Sequence, residues 1–444
     1  MKIYLFNPEH DMALASFSPY YKAPAEIIRM KENLAALPVW YSDKGASVCA
    51  YSFEYQSLFA SQCLLEGLAP YGRLVGEDAL RACLMNELPP RNASSDENVV
   101  THEFACCHDF SINKEFCLSP WGWDPALVQN WMQKGMKKSF FPDAGLLERI
   151  RILSGRQQCV KVLRDFEGFP HVCGKAQVCS SLEEVKAFLA VEADVILKAP
   201  WSGSGRGLTR TSQATWSANL EGWVSRILRT QGAIMAEPIY NKVCDFAIEF
   251  QIDENKELSF AGYSLFETDS HGNYKANVLM SNERILERLT QFVSLELLEK
   301  VKERLLHSLA DLLREDYVGY FGVDMMICEE EAGYGSLVYG DVGPSKIGYC
   351  VHPCVEINLR MNMGVVARLL YDRYVAPESE GSYVVEHYGA DGEAEEADRQ
   401  LRMAHPARIC GGRMAEGYFS LTPVCRTTRY QCYVLLHDRT CAEV

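Results

Sequence analysis

Residues 193 to 208 read A-D-V-I-L-K-A-P-W-S-G-S-G-R-G-L, an apolar run that ends in a lysine and passes at once into a glycine-rich loop. The run has the length and β-branched content of a buried strand. Glycines at 203, 205 and 207 let successive backbone N–H groups of the loop approach an anion closely, because no Cβ stands in the way. Lys198 places a cation at the end of that strand. The loop is not a P-loop, since no G-x-x-x-x-G-K-[ST] occurs. It is not the dinucleotide fingerprint either, because Leu208 stands where the third glycine belongs. A plain hairpin tip would have the same letters, so the neighbouring elements decide between the two readings.

Those elements alternate between strand and helix patterns, which predicts an α/β or α+β chain. Residues 2 to 6 read as a buried first strand followed by the turn N-P-E-H-D. That turn puts Asn7, Glu9, His10 and Asp11 where open α/β sheets hold their ligands. Asp124 and Pro125 form an N-cap and first helical residue. Two short helices meet at Ser154 and Gly155, and Ser181 three before Glu184 has capping-box spacing. Strand patterns follow in A-I-M-A-E-P-I-Y, F-A-I-E-F-Q-I-D and S-F-A-G-Y-S-L-F-E-T. Leu298, Val301, Leu305, Leu309 and Leu312 mark one long amphipathic helix. Tyr274, Lys275 and Asn277 read equally as the lining of a substrate site or as an exposed connection, residues 376 to 395 as a loop, and the stretch from Tyr418 as a hairpin. The implied domains are 1–143 (α/β, mostly parallel sheet), 144–375, and an extension over 376–444.

Net charge is −15, which argues against a polyanion such as nucleic acid as the main partner. No window approaches the length of a membrane span, and the opening apolar run is too short for a signal peptide. Seventeen cysteines, without a regular frame, fit reduced thiols and a cytoplasmic location. In C-V-H-P-C, Cys350, His352 and Cys354 lack an evident fourth zinc ligand.

Two strand patterns carry acids. Asp324 interrupts the apolar run G-Y-F-G-V-D-M-M-I, and a carboxylate there is costly to bury unless a cation or hydrogen bonds meet it. V-E-I-N-L-R, residues 355 to 360, alternates strictly, so Glu356, Asn358 and Arg360 share one face. Asp324, Glu356 and Asn358 make an all-oxygen set, suited to Mg²⁺ shared with phosphate oxygens.

A strand lysine, a glycine-rich loop, a strand ending in an acid, a strand acid in G-V-D and a final E-I-N-L-R follow in that order over about residues 145 to 375. This order resembles the ATP-grasp superfamily of ligases, preceded here by an α/β domain. The resemblance implies an ATP-grasp fold with ATP and Mg²⁺ as cofactors. Arg156 and Lys198 would meet nucleotide phosphates, and Ser202, Gly203, Ser204, Gly205 and Gly207 would fold over them. Glu237 would meet the adenine amino group, with Pro238, Ile239 and Tyr240 against the base and Asp245 at the ribose. Asp324, Glu356 and Asn358 would bind the metal. Arg360, with Lys198, would face the transferred phosphoryl group.

Two departures from the pattern stand out. Arg156 occupies the place where a lysine is usual, and the two cations differ in reach and geometry. Asp324 and Glu356 lie 32 positions apart, where a compact hairpin is more common. The intervening residues include Asp341 and Lys346 as possible substrate contacts.

The implied activity activates a carboxylate as an acyl phosphate, which an amine or other nucleophile then takes, with release of ADP and phosphate. Phosphotransfer on the same fold, or a nucleotide-binding scaffold without turnover, would share most of these residues. The residues name neither the acid, nor the acceptor, nor the oligomeric state.

Overall fold

The computed structural model describes residues 2–50, 53–77, 80, 117–202, 207–268, 274–330 and 348–438. Gly203, Ser204, Gly205, Asp341 and Lys346 lie outside the described residues. The chain forms two compact units. The first comprises residues 1–147, 275–280 and 369–444, and the second comprises 148–274 and 281–368. The stretch 376–444 therefore belongs with the N-terminal region and does not stand apart.

In the first unit β1 (Lys2–Leu5), β2 (Ser47–Ala50), β3 (Arg73–Gly76) and β4 (Cys117–Pro120) form a parallel sheet in the order β3-β2-β1-β4. Ile3, Leu5, Val75 and Leu118 pack with Leu127 and Trp131 of the helix Pro125–Gln133. Asp124 caps that helix by accepting from the Leu127 N–H at 2.8 Å, and Pro125 fills the first position as its missing donor allows. Beyond β1, the Asn7 amide donates to the Gly122 carbonyl at 2.8 Å and to Asp124 at 3.3 Å. Asn7 thus staples the exits of two parallel strands, and Glu9 is paired with Lys31 at 2.6 Å.

The same unit holds β11 (Tyr274–Leu279), β14 (Ser379–His387), β15 (Arg408–Cys410), β16 (Arg413–Ser420) and β17 (Tyr430–Asp438). They run antiparallel in the order β11-β14-β17-β16-β15. Two expectations are corrected here. The supposed loop 376–395 is strand β14 followed by the start of the helix Glu393–Ala404, and the supposed connection at 274–277 is strand β11. Polar letters misled in both places. Asn277 is buried in the sheet, and Gly381 is a close-approach residue whose Cβ would collide with the Leu435 carbonyl.

The second unit has two antiparallel systems. β5 (Gln177–Cys179), β6 (Asp194–Lys198), β7 (Leu208–Ser212) and β8 (Ile234–Pro238) lie in the order β5-β8-β6-β7. Helices Leu182–Val191 and Ala218–Gln231 cover them, burying Val185, Leu189, Val195, Leu197, Val224 and Ile234. Ser181 caps the first helix through the Glu184 N–H at 3.2 Å, while the Glu184 carboxylate reaches the Ser180 N–H at 2.7 Å. The Glu184 carboxylate is also met by the Ser181 backbone N–H, as a capping box requires.

The other system contains β9 (Lys242–Ile252), β10 (Leu258–Thr268), β12 (Gly319–Glu329) and β13 (Tyr349–Asn358), with local order β13-β12-β9-β10. In the β12–β13 pairing Asp324 faces Glu356 and Met326 faces His352, so the three residues 353 to 355 of β13 stand against Met325 alone on β12. This bulge contains Pro353, which lacks the N–H a regular ladder would need there. Helix Leu295–Leu313 buries Leu298, Val301, Leu305, Leu309 and Leu313. The last buried leucine is 313 rather than 312, as the i+4 step from Leu309 requires. No helix among the described residues is long and apolar enough to cross a membrane.

Candidate functional site

Strand β6 delivers Lys198 at its end, and neighbouring β8 brings Glu237 beside it, with Ile196 opposite Glu237 in the register. Lys198 Nζ donates to Glu237 Oε2 at 2.5 Å. The two residues are 5% and 4% exposed. A buried pair of this kind is strong only because each charge answers the other. Directly after Glu237, the Ile239 N–H donates to the Asp194 carbonyl at 3.0 Å. The Tyr240 hydroxyl accepts from the Lys175 N–H at 2.8 Å, and the Tyr240 ring stands edge-on to His352. Pro238 ends β8 and the Ile239 N–H carries its pairing with β6 one step further, so Pro238, Ile239 and Tyr240 are held as an extended segment beside the ion pair.

Arg156 lies in the break between helices Ala144–Leu153 and Gln157–Arg164. Its Nη1 donates to the Ala199 carbonyl at 2.7 Å and to Ser202 Oγ at 2.6 Å. Its Nη2 donates to both oxygens of Glu356 at 2.8 Å and to the Ser202 carbonyl at 3.3 Å. Burial is the largest influence and works against this charge, but the Glu356 charge and hydrogen bond, with Cys159 and Glu237 behind them, together outweigh it and the guanidinium pKa is raised. Arg156 thus ties the entrance of the glycine-rich loop to the β13 carboxylate. At the far side of the loop Gly207 has φ of +74°, and its Cβ would stand 2.8 Å from the Ser202 side chain. Both facts call for glycine there.

Asp324 faces Glu356 across β12 and β13, with Gly322 opposite Asn358 two positions on. Burial, then the Glu356 and Glu249 charges, push the Asp324 carboxyl up to about 8, against the opposing pull of an Asn358 hydrogen bond and Arg360. Two facing carboxylates with an amide beside them are a hard, all-oxygen donor set whose mutual repulsion a divalent cation would relieve. Among the described residues no group of three or more His, Cys, Asp or Glu is placed to hold a metal ion. The candidate set offers two acids and an amide, so phosphate oxygens or water would complete an Mg²⁺ shell. Cys350, His352 and Cys354 form no such group.

Arg360 lies just past the end of β13, with Nη1 donating to the Met361 carbonyl at 3.1 Å and its charge felt by Asp324 and Glu249. Asp245, near the start of β9, is ion-paired with Lys242. Lys198, Glu237, Arg156, Glu356, Asp324, Asn358 and Arg360 all belong to the second unit. Electrostatic influence of Glu237 on Arg156 links the two halves of the cluster.

Sequence reasoning missed Glu249. It lies on β9, is 1% exposed, and accepts from Ser264 Oγ at 2.8 Å and from Asn362 Nδ2 at 3.0 Å. A Cβ on Gly322 or Gly364 would collide with its carboxylate. Those two glycines are the signal it leaves in the sequence, and they gain meaning only once the strands are in register. Burial pushes the Glu249 carboxyl from 4.5 to about 7, despite Asn362, Ser264 and Arg360. Folding therefore favours its acid form, and that contribution is full below pH 4.5 and lost as pH rises through about 7. Glu249→Gln mimics the acid form. In urea titrations between about pH 5 and 8, the wild type is expected to lose on the order of 2 to 3 kcal/mol relative to the variant. Parallel stability curves would show that Glu249 does not titrate in this range.

No family model matches the chain, and no curated protein matches it. Among solved structures it is similar to N5-carboxyaminoimidazole synthetase from Staphylococcus aureus complexed with ADP, at 12% identity and a TM-score of 0.45 over 90% of this chain and 96% of that one. It is similar to a biotin carboxylase from Campylobacter jejuni at 12% identity and a TM-score of 0.47, over 98% and 87% of the two chains. A third similar structure is N5-carboxyaminoimidazole ribonucleotide synthetase from Thermus thermophilus, at 13% identity and a TM-score of 0.46, over 100% and 95%. At these scores the likeness carries no argument about activity, which rests on the side chains of the second unit.

Proposed function

We propose that this chain is an ATP- and Mg²⁺-dependent ligase of the ATP-grasp type. It activates a small carboxylate as an acyl phosphate and joins it to an amine or another nucleophile, forming an amide-type bond. The observation that carries this reading is the facing pair Asp324 and Glu356, tied through Arg156 to the entrance of a glycine-rich loop. A pure scaffold needs no pair of opposed acids beside an anion-binding loop.

Lys198 and Arg156 hold phosphate oxygens in this reading, and Glu237 with residues 238 to 240 meets the base. Asp324, Glu356 and Asn358 hold Mg²⁺, which when bound offsets charge on the phosphoryl oxygens. Arg360, placed beside the acids, meets the carboxylate or the phosphoryl group in transfer. No protein nucleophile is required, since the substrate carboxylate attacks the γ-phosphate.

The test is an incubation of the protein with Mg-ATP and pooled small carboxylic acids and amines, following ADP, AMP and free phosphate. ADP with stoichiometric free phosphate, dependent on an acid and an amine together, is the expected result. Phosphate retained on the acceptor would instead identify a phosphotransferase, and AMP would exclude an acyl-phosphate route.

A further inference from the structure

We propose that Arg156 is a latch on the metal site, so that Glu356 becomes available to a divalent cation only when nucleotide phosphate takes over the guanidinium. This inference rests on the nucleotide and metal reading above and adds an order of events to it. A single nitrogen, Nη2, sits 2.8 Å from each of the two Glu356 oxygens. That is the position from which a cation would engage the carboxylate through both oxygens, so guanidinium and metal compete for one place. Like charges at that separation also repel strongly in a site of reduced dielectric.

The rest of the guanidinium reports on the loop. Nη1 holds Ser202 Oγ and the Ala199 carbonyl, and the Arg156 backbone N–H donates to the Pro200 carbonyl at 3.1 Å. Arg156 is therefore fixed to three of the four residues that lead into the glycines. Nucleotide phosphate held by Lys198 offers the guanidinium anionic oxygens and draws it from Glu356, while the metal replaces the charge that Glu356 loses. Neither exchange is favourable alone, because a buried guanidinium or a facing pair of acids would be left without its counter-charge. Metal and nucleotide then bind with positive coupling at the protein, each raising the affinity of the other by the same factor. An arginine suits this role where a lysine does not, since one ammonium cannot span Ser202 and both oxygens of Glu356.

Manganese as a spectroscopic substitute for magnesium tests the latch without turnover. Mn²⁺ binding to the full chain is measured by electron paramagnetic resonance in the absence of nucleotide, for wild type and for Arg156→Met. Removing the guanidinium is expected to tighten nucleotide-free Mn²⁺ binding by about tenfold or more, within the usual range of coupling between sites. Equal Mn²⁺ affinity in the two proteins overturns the latch. Should Arg156→Met fail to fold, Arg156→Gln decides the same question, because it removes the charge from Glu356 while keeping a side chain able to hydrogen-bond. Tightening again supports the latch, and no change overturns it. A separate titration of wild type with a non-hydrolysable ATP analogue isolates the underlying reading. If the analogue binds but Arg156 substitutions leave Mn²⁺ affinity unchanged, the latch alone falls. If the analogue does not bind with or without Mn²⁺, the nucleotide reading falls and takes the latch with it.

Discussion

Lys198→Met is expected to abolish nucleotide binding and to lower turnover by on the order of 10²-fold or more, since a preorganised cation at the transferring phosphates is lost. The substitution keeps the apolar stem of the side chain and removes only the ammonium. Its second effect is on stability. Glu237, 4% exposed, would lose the Lys198 Nζ that stands 2.5 Å from it. Breaking one side of a buried pair costs about 3 to 5 kcal/mol, mostly from the charge left behind. The double variant Lys198→Met with Glu237→Gln separates the two effects. It is expected to recover most of the stability in urea unfolding, while the nucleotide affinity that belongs to Lys198 is read by calorimetry on the single variant. A single variant that keeps its nucleotide affinity within about threefold would remove Lys198 from the phosphate site.

Asp324→Asn is expected to reduce Mg²⁺-dependent turnover by on the order of 10²-fold or more, because the amide cannot neutralise a cation. The same change should stabilise the nucleotide-free protein at high pH. Asp324 holds its proton up to about 8 in the fold, against an ordinary value of 3.8. Folding thus favours the protonated form, a contribution complete below about pH 4 and lost as pH rises through 8. Wild-type melting temperature is expected to fall through that window more steeply than that of the asparagine variant. Excess Mg²⁺ with nucleotide should restore the wild type and leave the variant unchanged. Full Mg²⁺-dependent activity in Asp324→Asn would sink the metal assignment.

Much of the site was legible in the chain because its groups sit on strands whose alternation can be read locally. Glu356 and Asn358 share a face of V-E-I-N-L-R, and Asp324 interrupts an otherwise apolar run, so the sequence pointed to each before any pairing was known. The strand itself stops at Asn358, and Arg360 lies past its end. Lys198, at the end of β6, was visible for the same reason. What could not be read was who answers whom. The ion pairs Lys198 with Glu237 and Arg156 with Glu356 join residues 39 and 200 positions apart. Glu249 hid for a related reason. Its partners Ser264 and Asn362 come from a neighbouring strand and from the start of the helix Met363–Tyr374, 113 positions away, and the glycines that make room for it are themselves remote. The misread strands β11 and β14 show the converse, since pairing partners far along the chain satisfy polar residues that by composition suggest a loop.

The bulge around Pro353 has a mechanical consequence for the hairpin that carries the two opposed acids. A regular hairpin transmits any change in the length of its connection along both strands, turning side chains over with every slip of one residue. Here β13 carries its surplus in mid-strand, between His352 and Glu356, and β12 is held independently by its long pairing with β9. The bulge works as slack in a rope tied at both ends. A slip among the pairs that join 326–329 to 349–352 can be taken up on the far side of it, and the alignment of Asp324 with Glu356 stays where β9 and β12 set it. Register at the outer end of the two strands is thereby uncoupled from alignment at the two acids.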